Sequence, residues 1–545
     1  MPDSAVTAVP DLEAEAGAAP VDAQTQSGND LIRRGVLSRL PVALGLSLLT
    51  ALLLIVAFPD FNFSSLAWIG FVPLLVTLAR GQTPRRAFFL GWLFGSVFFY
   101  ATCHWLSYSM IHYGGINPLL AYSLLIPGAL VLGLFPAVFA YVLIRGVRRW
   151  GAVALLLAPV LWIAFEWARL SVTGQLWNAI GYSQAFHPYL IQVARFGGVY
   201  AVSFMIMLVN SAVAYALVQL SKGALAFAIM IIVLVMALVF VSTWITRPPA
   251  QQASHPTLSV IALQPNVPMD PLKSTTQIQE LVHHHLVTSE NALKSAPGET
   301  PRLLIWPESP MNFSYAMDSQ FRDLIGRFAQ QQRTFILFNS QEPAPDKGTY
   351  NSAVLINEEG RLIAQYDKIR LMPFGEYVPL PQWMPGSNQV RAIVGEFRPG
   401  TSYTLMPVAG VEAGVFICIE SAYPWIARNF ASQGADVLIN ISNDGYLGPT
   451  AVMHQHLANA VFRAVENGRP LLRVTNTGIT AYVTANGEVR DAAPGFETAV
   501  RTWTVTNGSQ TQTFYTRHGD LFVVSCAVLT LLVSALTFIR PLRKG

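Results

Sequence analysis

Seven long apolar runs precede residue 250, near 41–58, 66–80, 87–107, 118–144, 152–171, 197–220 and 224–245, and an eighth follows at about 520–538. Most approach the ~20 residues that a helix needs to cross a bilayer core, so a polytopic α-helical membrane bundle of about eight spans is expected. The second run is short. Composition agrees, with 52% of residues hydrophobic and only 12% charged, against about 25% charged in soluble domains. The cations fall in alternate loops. Arg33, Arg34 and Arg39 precede the first run, and Arg80, Arg85 and Arg86 separate the second from the third. Arg145, Arg148 and Arg149 separate the fourth and fifth, Lys222 the sixth and seventh, and Arg540, Arg543 and Lys544 follow the eighth. The intervening loops 59–65 and 108–117 hold no Lys or Arg. The positive-inside rule then makes both termini cytoplasmic and puts the large loop before the last span outside. A cleaved signal peptide is the rival reading of the first run. No small-residue cleavage site follows it, and an uncleaved span is expected.

That loop, 257–505, regains charge and reads as an α/β domain. The expected order is a disordered cytoplasmic tail (1–30), a seven-span bundle (31–250), the domain, a connector (506–518), an eighth span (519–538) and a basic tail (539–545). A net charge of +4 is small for 545 residues and argues against a nucleic-acid partner. Cys103, Cys418 and Cys526 make no disulfide framework, and Cys418 is expected to be a free thiol. Within the bundle, Glu166 and Arg169 end the fifth run. They either form an internal pair or polar cavity or snorkel to the outer interface. The following stretch, 174–183, is too polar to span and suits an interfacial segment beneath the domain.

Three short apolar runs in the domain resemble buried strands that end on reactive groups. Leu303 to Trp306 leads to Glu308, Leu362 to Tyr366 leads to Lys368, and Gly414 to Ile417 leads to Cys418 and Glu420. A Cys in such a run otherwise packs as a small hydrophobe, and a Lys before a loop is often only a surface charge. Together the three make a chemistry. A thiol attacks an acyl carbon as thiolate and needs a base, and a Glu at an apolar strand end suits that task. A fixed ammonium with a backbone N–H after the Cys would stabilise the oxyanion. The consecutive His283, His284 and His285 point in different directions on a helix and are read as a solvated face. His454 and His456 lack a third ligand, so no metal site is expected; they are placed at a loop or helix start leading into 457–466. Glu466 is read as a buried structural partner.

Trp306-Pro307-Glu308, Tyr366-Asp367-Lys368 and the run ending at Cys418 resemble the Glu-Lys-Cys triad of the nitrilase (carbon-nitrogen hydrolase) superfamily. Met372 to Pro379 after Lys368, Ile441 to Asp444, and Arg469 to Thr480 are similar, more narrowly, to the bacterial apolipoprotein N-acyltransferase family. The resemblance covers the chain from about residue 40. It implies an αββα sandwich on the outer face of the inner membrane, no cofactor, and a fatty acyl group passed from a phospholipid to a lipoprotein. The donor is usually phosphatidylethanolamine; the acceptor is the α-amino group of an apolipoprotein's diacylglyceryl-cysteine. It further implies Cys418 as thioester-forming nucleophile, Glu308 as base, Lys368 as oxyanion stabiliser, and Glu376 and Glu420 as supporting carboxylates.

Three departures from the family pattern touch the acyl or acceptor pocket. Ile419 replaces an aromatic, Ser274 follows Lys273 where an aromatic is common, and the loop Asn443-Asp444-Gly445-Tyr446-Leu447-Gly448 is altered. Ile419, Asn443, Asp444 and Tyr446 are therefore the candidate substrate-binding residues. A monomer is the default. The rival functions are a membrane-tethered amidase acting on a soluble amide, and a catalytically inactive lipoprotein-binding scaffold.

Overall fold

The computed structural model describes residues 39–246 apart from 175, and 257–538 apart from 270–273, 296–299, 309, 347, 379–382, 384–396 and 507–510. The tail expected over 1–30, Arg33, Arg34, Lys273, Pro379 and the cations Arg540, Arg543 and Lys544 lie outside the described residues.

The apolar runs form α1 (Leu40–Ala57), α2 (Val72–Ala79), α3 (Pro84–Cys103), α4 (Pro118–Leu132), α5 (Leu134–Trp150), α6 (Ala158–Thr173), α7 (Ala194–Gln219) and α8 (Lys222–Ile245). Pro stands in the first turn of α1, α3, α4 and α6, where its missing N–H costs nothing. Among the described residues, five helical stretches are long and apolar enough to cross a membrane, and Ser64–Ala79 and Leu521–Thr537 are shorter apolar helices. Two boundaries differ from the sequence reading. The run 118–144 is not one helix but α4 and α5 either side of Gly133, and α5 continues through Arg145, Arg148 and Arg149. The short second run is broken at Phe71, between Ala67–Gly70 and α2. Backbone groups freed inside a membrane need internal partners. Asn210 Oδ1 accepts from Phe71 N at 2.8 Å, and Thr50 Oγ1 accepts from Leu74 N at 3.1 Å.

Small residues let α3 and α5 approach closely. A Cβ on Gly91 would lie 2.4 Å from the Pro136 carbonyl oxygen. Glu166 and Arg169 take the internal alternative, both buried. Glu166 Oε1 accepts from Trp162 Nε1 and Ile180 N, each at 2.8 Å, and Arg169 Nη1 donates to Trp177 O at 2.8 Å.

Two six-stranded sheets follow, in the order β12-β1-β2-β3-β4-β5 and β11-β10-β9-β8-β7-β6. The first contains β1 (Leu258–Gln264), β2 (Arg302–Ile305), β3 (Phe335–Pro343), β4 (Thr349–Ile356), β5 (Leu362–Asp367) and β12 (Ala499–Val505). The second contains β6 (Leu405–Val408), β7 (Val411–Ile417), β8 (Val437–Ser442), β9 (Leu471–Thr475), β10 (Ala481–Val483) and β11 (Val489–Arg490). β1, β2 and β3 are parallel, as are β7, β8 and β9. Every residue of β1 and β8 is buried, because the sheets face each other and helices cover their outer faces. Those helices are α9 (Thr275–Ser295), α10 (Ser319–Gln332), α11 (Pro424–Ser432) and α12 (Val452–Asn467), with α13 (Leu521–Phe538) last. Gly414 lets α11 settle on β7, since a Cβ there would lie 2.5 Å from Phe430 Cβ.

One expectation is corrected here. His285 does not belong to a solvated face: α9 turns it inward against Trp306, ring centroids 5.2 Å apart, and burial pushes its pKa down to about 4. His283 and His284 remain exposed.

The bundle and the sandwich meet along α12. Gln455 Oε1 accepts from Trp177 Nε1 at 2.6 Å and from Trp105 Nε1 at 3.1 Å. Residues 176–185 are buried, and Tyr182 packs edge-on to Phe462 at 5.1 Å. Glu466, as expected, is a buried partner. It pairs with Arg463 at 2.8 Å, and its Oε1 accepts from Val199 N at 2.9 Å. Arg463 Nη1 also donates to Ser421 O at 3.1 Å, three residues past Cys418. Glu466→Gln should therefore strand a buried guanidinium, at a cost of about 3–5 kcal/mol. A thermal scan in nanodiscs checks this: a midpoint clearly below wild type is expected, and an unchanged one contradicts the seam.

Candidate active site

β2, β5 and β7 deliver Glu308, Lys368 and Cys418 at their C-terminal ends, from both sheets. β7 stops because Cys418 has φ 53°, a left-handed conformation that a non-glycine residue adopts at a cost of ~1–3 kcal/mol. A 3₁₀ turn, Cys418–Ala422, follows. Glu420 secures this turn. Its Oε2 accepts from Ile417 N at 2.8 Å, and its Oε1 accepts from Tyr366 Oη (2.8 Å), Ile369 N (2.8 Å) and Arg370 N (3.0 Å). One fully buried carboxylate thus ties the loop after β5 to the turn after β7. Burial pushes its pKa up to about 7 against the pull of these donors.

Lys368 is 1% exposed, with Nζ 2.9 Å from Glu376 Oε1 and 3.6 Å from Glu308 Oε1. Burial opposes its charge, but the Glu376 and Glu308 carboxylates outweigh burial and hold the ammonium well above the ordinary lysine value. Asn351 Nδ2 donates to both carboxylates, at 2.6 Å to Glu376 Oε1 and 3.0 Å to Glu308 Oε1. Glu376 Oε2 accepts from Met372 N at 2.7 Å. Glu308 Oε2 is the exception: among the described residues it has no hydrogen-bond partner, although it is buried. A buried carboxylate oxygen without a donor is poised to receive a proton. The neighbouring Cys418 thiol is half-buried, and burial, then the Glu308 charge, push it up to about 12 against the pull of Lys368. The arrangement can deprotonate a thiol as it attacks and hold an oxyanion beside a fixed ammonium.

Both parts of the chain are similar to known proteins. Residues 50–212 match the apolipoprotein N-acyltransferase N-terminal domain, and residues 264–513 match the carbon-nitrogen hydrolase domain. An apolipoprotein N-acyltransferase of Geobacter metallireducens is 33% identical over 91% of this chain and 95% of its own. One of Pseudomonas putida is 30% identical over 82% and 87%. The chain belongs to the apolipoprotein N-acyltransferase family. A crystal structure of a Saccharomyces cerevisiae nitrilase-superfamily protein, branch 10, aligns with 47% of this chain and 93% of its own, at 17% identity and TM-score 0.36.

The remaining predicted residues fall in two groups. Ile419 is buried beside Cys418, and Tyr446 is half exposed, its ring 5.7 Å from Tyr113 of the bundle. Asn443 and Asp444 are turned inward. Asn443 Oδ1 accepts from Gly445 N at 3.1 Å, and Asp444 pairs with Arg473 at 2.7 Å and His456 at 2.8 Å. Burial opposes the Asp444 charge, yet Arg473 and His456 hold its carboxyl well below the usual range. Sequence reasoning passed over Asn351 and weighed His456 only as a metal ligand. Arg473 left a signal, a charge in the apolar strand Leu471–Thr475.

A thiol titrating near 12 is almost wholly protonated at pH 7, and its thiolate fraction grows about tenfold per pH unit until the pKa is reached. Iodoacetamide labelling of the Cys418 peptide should therefore still gain about tenfold between pH 10 and pH 11. A rate that has levelled off over that interval, the behaviour of an ordinary cysteine, contradicts the burial argument.

Proposed function

We propose that Cys418 takes a fatty acyl group from a phospholipid as a thioester and passes it to the α-amino group of an apolipoprotein's diacylglyceryl-cysteine. The observation that carries this reading is Glu308 Oε2, without a hydrogen-bond partner among the described residues, in a site where both Glu376 oxygens and Glu308 Oε1 are engaged. Glu308 takes the Cys418 proton as Sγ attacks the donor ester carbon. Lys368 and the Ile419 N–H stabilise the resulting oxyanion. Collapse breaks the ester C–O bond, and Glu308 returns its proton to the departing lysophospholipid. The acceptor amine then attacks the thioester and loses a proton to Glu308, and collapse leaves the amide while the proton returns to sulfur. Glu376 and Asn351 hold Lys368 and Glu308 in register, and Glu420 holds their loops together. Ile419 and Tyr446 line the approach, while Asn443 and Asp444 shape it from behind.

The chain acts on lipid and lipoprotein substrates at a membrane. We place it in the bacterial inner membrane as a monomer, with eight spans, both termini cytoplasmic and the sandwich at 257–505 on the outer face; phosphatidylethanolamine is the proposed donor. The loop cations support that orientation. The contacts of Trp177, Tyr182 and Tyr446 along the seam support a site set against the bilayer. There an acyl chain stays in hydrocarbon through both half-reactions, at about 0.8 kcal/mol per CH₂. This favours amine transfer over hydrolysis.

Initial rates in proteoliposomes test the order of events. Varying phosphatidylethanolamine at several fixed concentrations of a diacylglyceryl-cysteine peptide should give parallel double-reciprocal lines, with Cys418→Ser inactive. Intersecting lines contradict the thioester route. Fatty acid released without acceptor at the transfer rate would favour an amidase-like hydrolase, and transfer by Cys418→Ser would favour the scaffold.

A further inference from the structure

The peptide unit between Cys418 and Ile419 is gripped by its carbonyl. His456 Nε2 lies 2.9 Å from Cys418 O, and Asn440 Nδ2 donates to the same oxygen at 3.3 Å. Among the described residues the Ile419 N–H has no acceptor. A peptide is planar, with N–H and C=O pointing in opposite directions, so a fixed carbonyl fixes the direction of that N–H. Both grips lead back to one guanidinium. Arg473 Nη1 donates to Asn440 Oδ1 at 2.5 Å, and Arg473 Nη2 donates to Asp444 Oδ2 at 2.7 Å. Asp444 Oδ1 faces His456 Nδ1 at 2.8 Å. The ring Arg473, Asp444, His456, Cys418 carbonyl, Asn440 therefore closes on itself, and its four side chains are buried. The Trp177 ring of the bundle packs on His456 with centroids 5.6 Å apart, limiting its tilt.

A charged guanidinium and carboxylate buried side by side are costly to assemble. Simple anchoring of a strand end would not need them. Here they orient two side chains on one carbonyl. Asn440 presents its Nδ2 N–H. His456, whose two ring nitrogens both face oxygens, presents an N–H to the carbonyl and to Asp444 as the imidazolium, a charge that Asp444 favours and that burial and Arg473 oppose. Hydrogen bonding at a carbonyl also polarises the amide and strengthens its own N–H as a donor.

We propose that His456 is a positioning residue for acyl transfer: it holds the Cys418 carbonyl so that the Ile419 N–H is aimed at the oxyanion formed on the Cys418-bound acyl carbon. The inference rests on the thioester reading above. His456 touches neither substrate nor the reacting atoms and acts through the peptide bond. Its loss therefore affects the acylation rate and leaves donor binding alone.

The test uses full-length protein in nanodiscs with phosphatidylethanolamine as the only substrate, following acyl mass on the Cys418 peptide in single turnover. Removing one oxyanion donor costs about 10²–10³ in rate, and a donor left in place but misaimed should cost somewhat less. His456→Leu should lower the saturating rate by about 10–10²-fold with an unchanged half-saturating donor concentration. His456→Gln places an amide NH₂ near the Nε2 position and should recover most of that loss. His456→Asn, which reaches Asp444 but not the carbonyl, should resemble Leu. If His456→Leu fails to fold, the order Gln above Asn decides. A Leu variant within threefold of wild type, Gln no better than Asn, or a loss confined to half-saturation would overturn the proposal. Absence of any adduct on wild type would instead remove the thioester reading beneath it.

Discussion

The Lys368 ammonium lies 2.9 Å from Glu376 and 3.6 Å from Glu308 with 1% of its side chain exposed. A cation in that position costs several kcal/mol unless it is paired and hydrogen-bonded, and the surrounding structure is arranged to meet that demand. Glu376 must return from the loop after β5, and Asn351 must project from β4 to bridge the carboxylates. Glu308 must share one oxygen with Lys368 while its other has no partner among the described residues. The same constraint separates the roles of two similar groups. Glu376 is saturated by Lys368, Asn351 and the Met372 N–H and is fit only to hold. Glu308 keeps an open lone pair and is fit to accept a proton.

The site draws on both sheets, so their alignment matters as much as any side chain. Glu420 supplies it with four donors converging on one buried carboxylate, two of them from the backbone next to Lys368 and one from the residue before Cys418. The frame continues outward. Arg463 holds Ser421 O at 3.1 Å and pairs with Glu466, which receives the Val199 N–H from the bundle. An unbroken chain of buried polar contacts therefore runs from α7, within the helical part, to the turn that carries Cys418. These contacts fix the Cys418 thiol relative to the helical part as well as to the Glu308 carboxylate.

Much of this was legible in the chain itself. The membrane helices follow from apolar runs, and the strands from short runs buried on both faces. Glu308, Lys368 and Cys418 could be picked out because each ends such a run, where a reactive group meets the open edge of a sheet. The parts that escaped depend on pairing across distant segments. Asn351 looks like an ordinary strand polar residue until β4 is laid beside β5, and His456 looks like a stray histidine at a helix start. His285 was misread because α9 as a whole is polar, while one face of it, with Ser289, packs against Trp306. The break at Gly133 lies inside one continuous apolar run, 118–144, and only its packing against Ser96 of α3 distinguishes it. Hydropathy carries no record of such partners.

The central claim is that Cys418 alone carries the acyl group between donor and acceptor. The most direct measurement is mass spectrometry of the purified protein mixed with phospholipid in the absence of acceptor, wild type beside Cys418→Ser. A fatty acyl mass on the Cys418 peptide, labile to hydroxylamine as a thioester and absent from the variant, is the result this account predicts. An unmodified Cys418 in a preparation that transfers acyl groups once acceptor is added would contradict it.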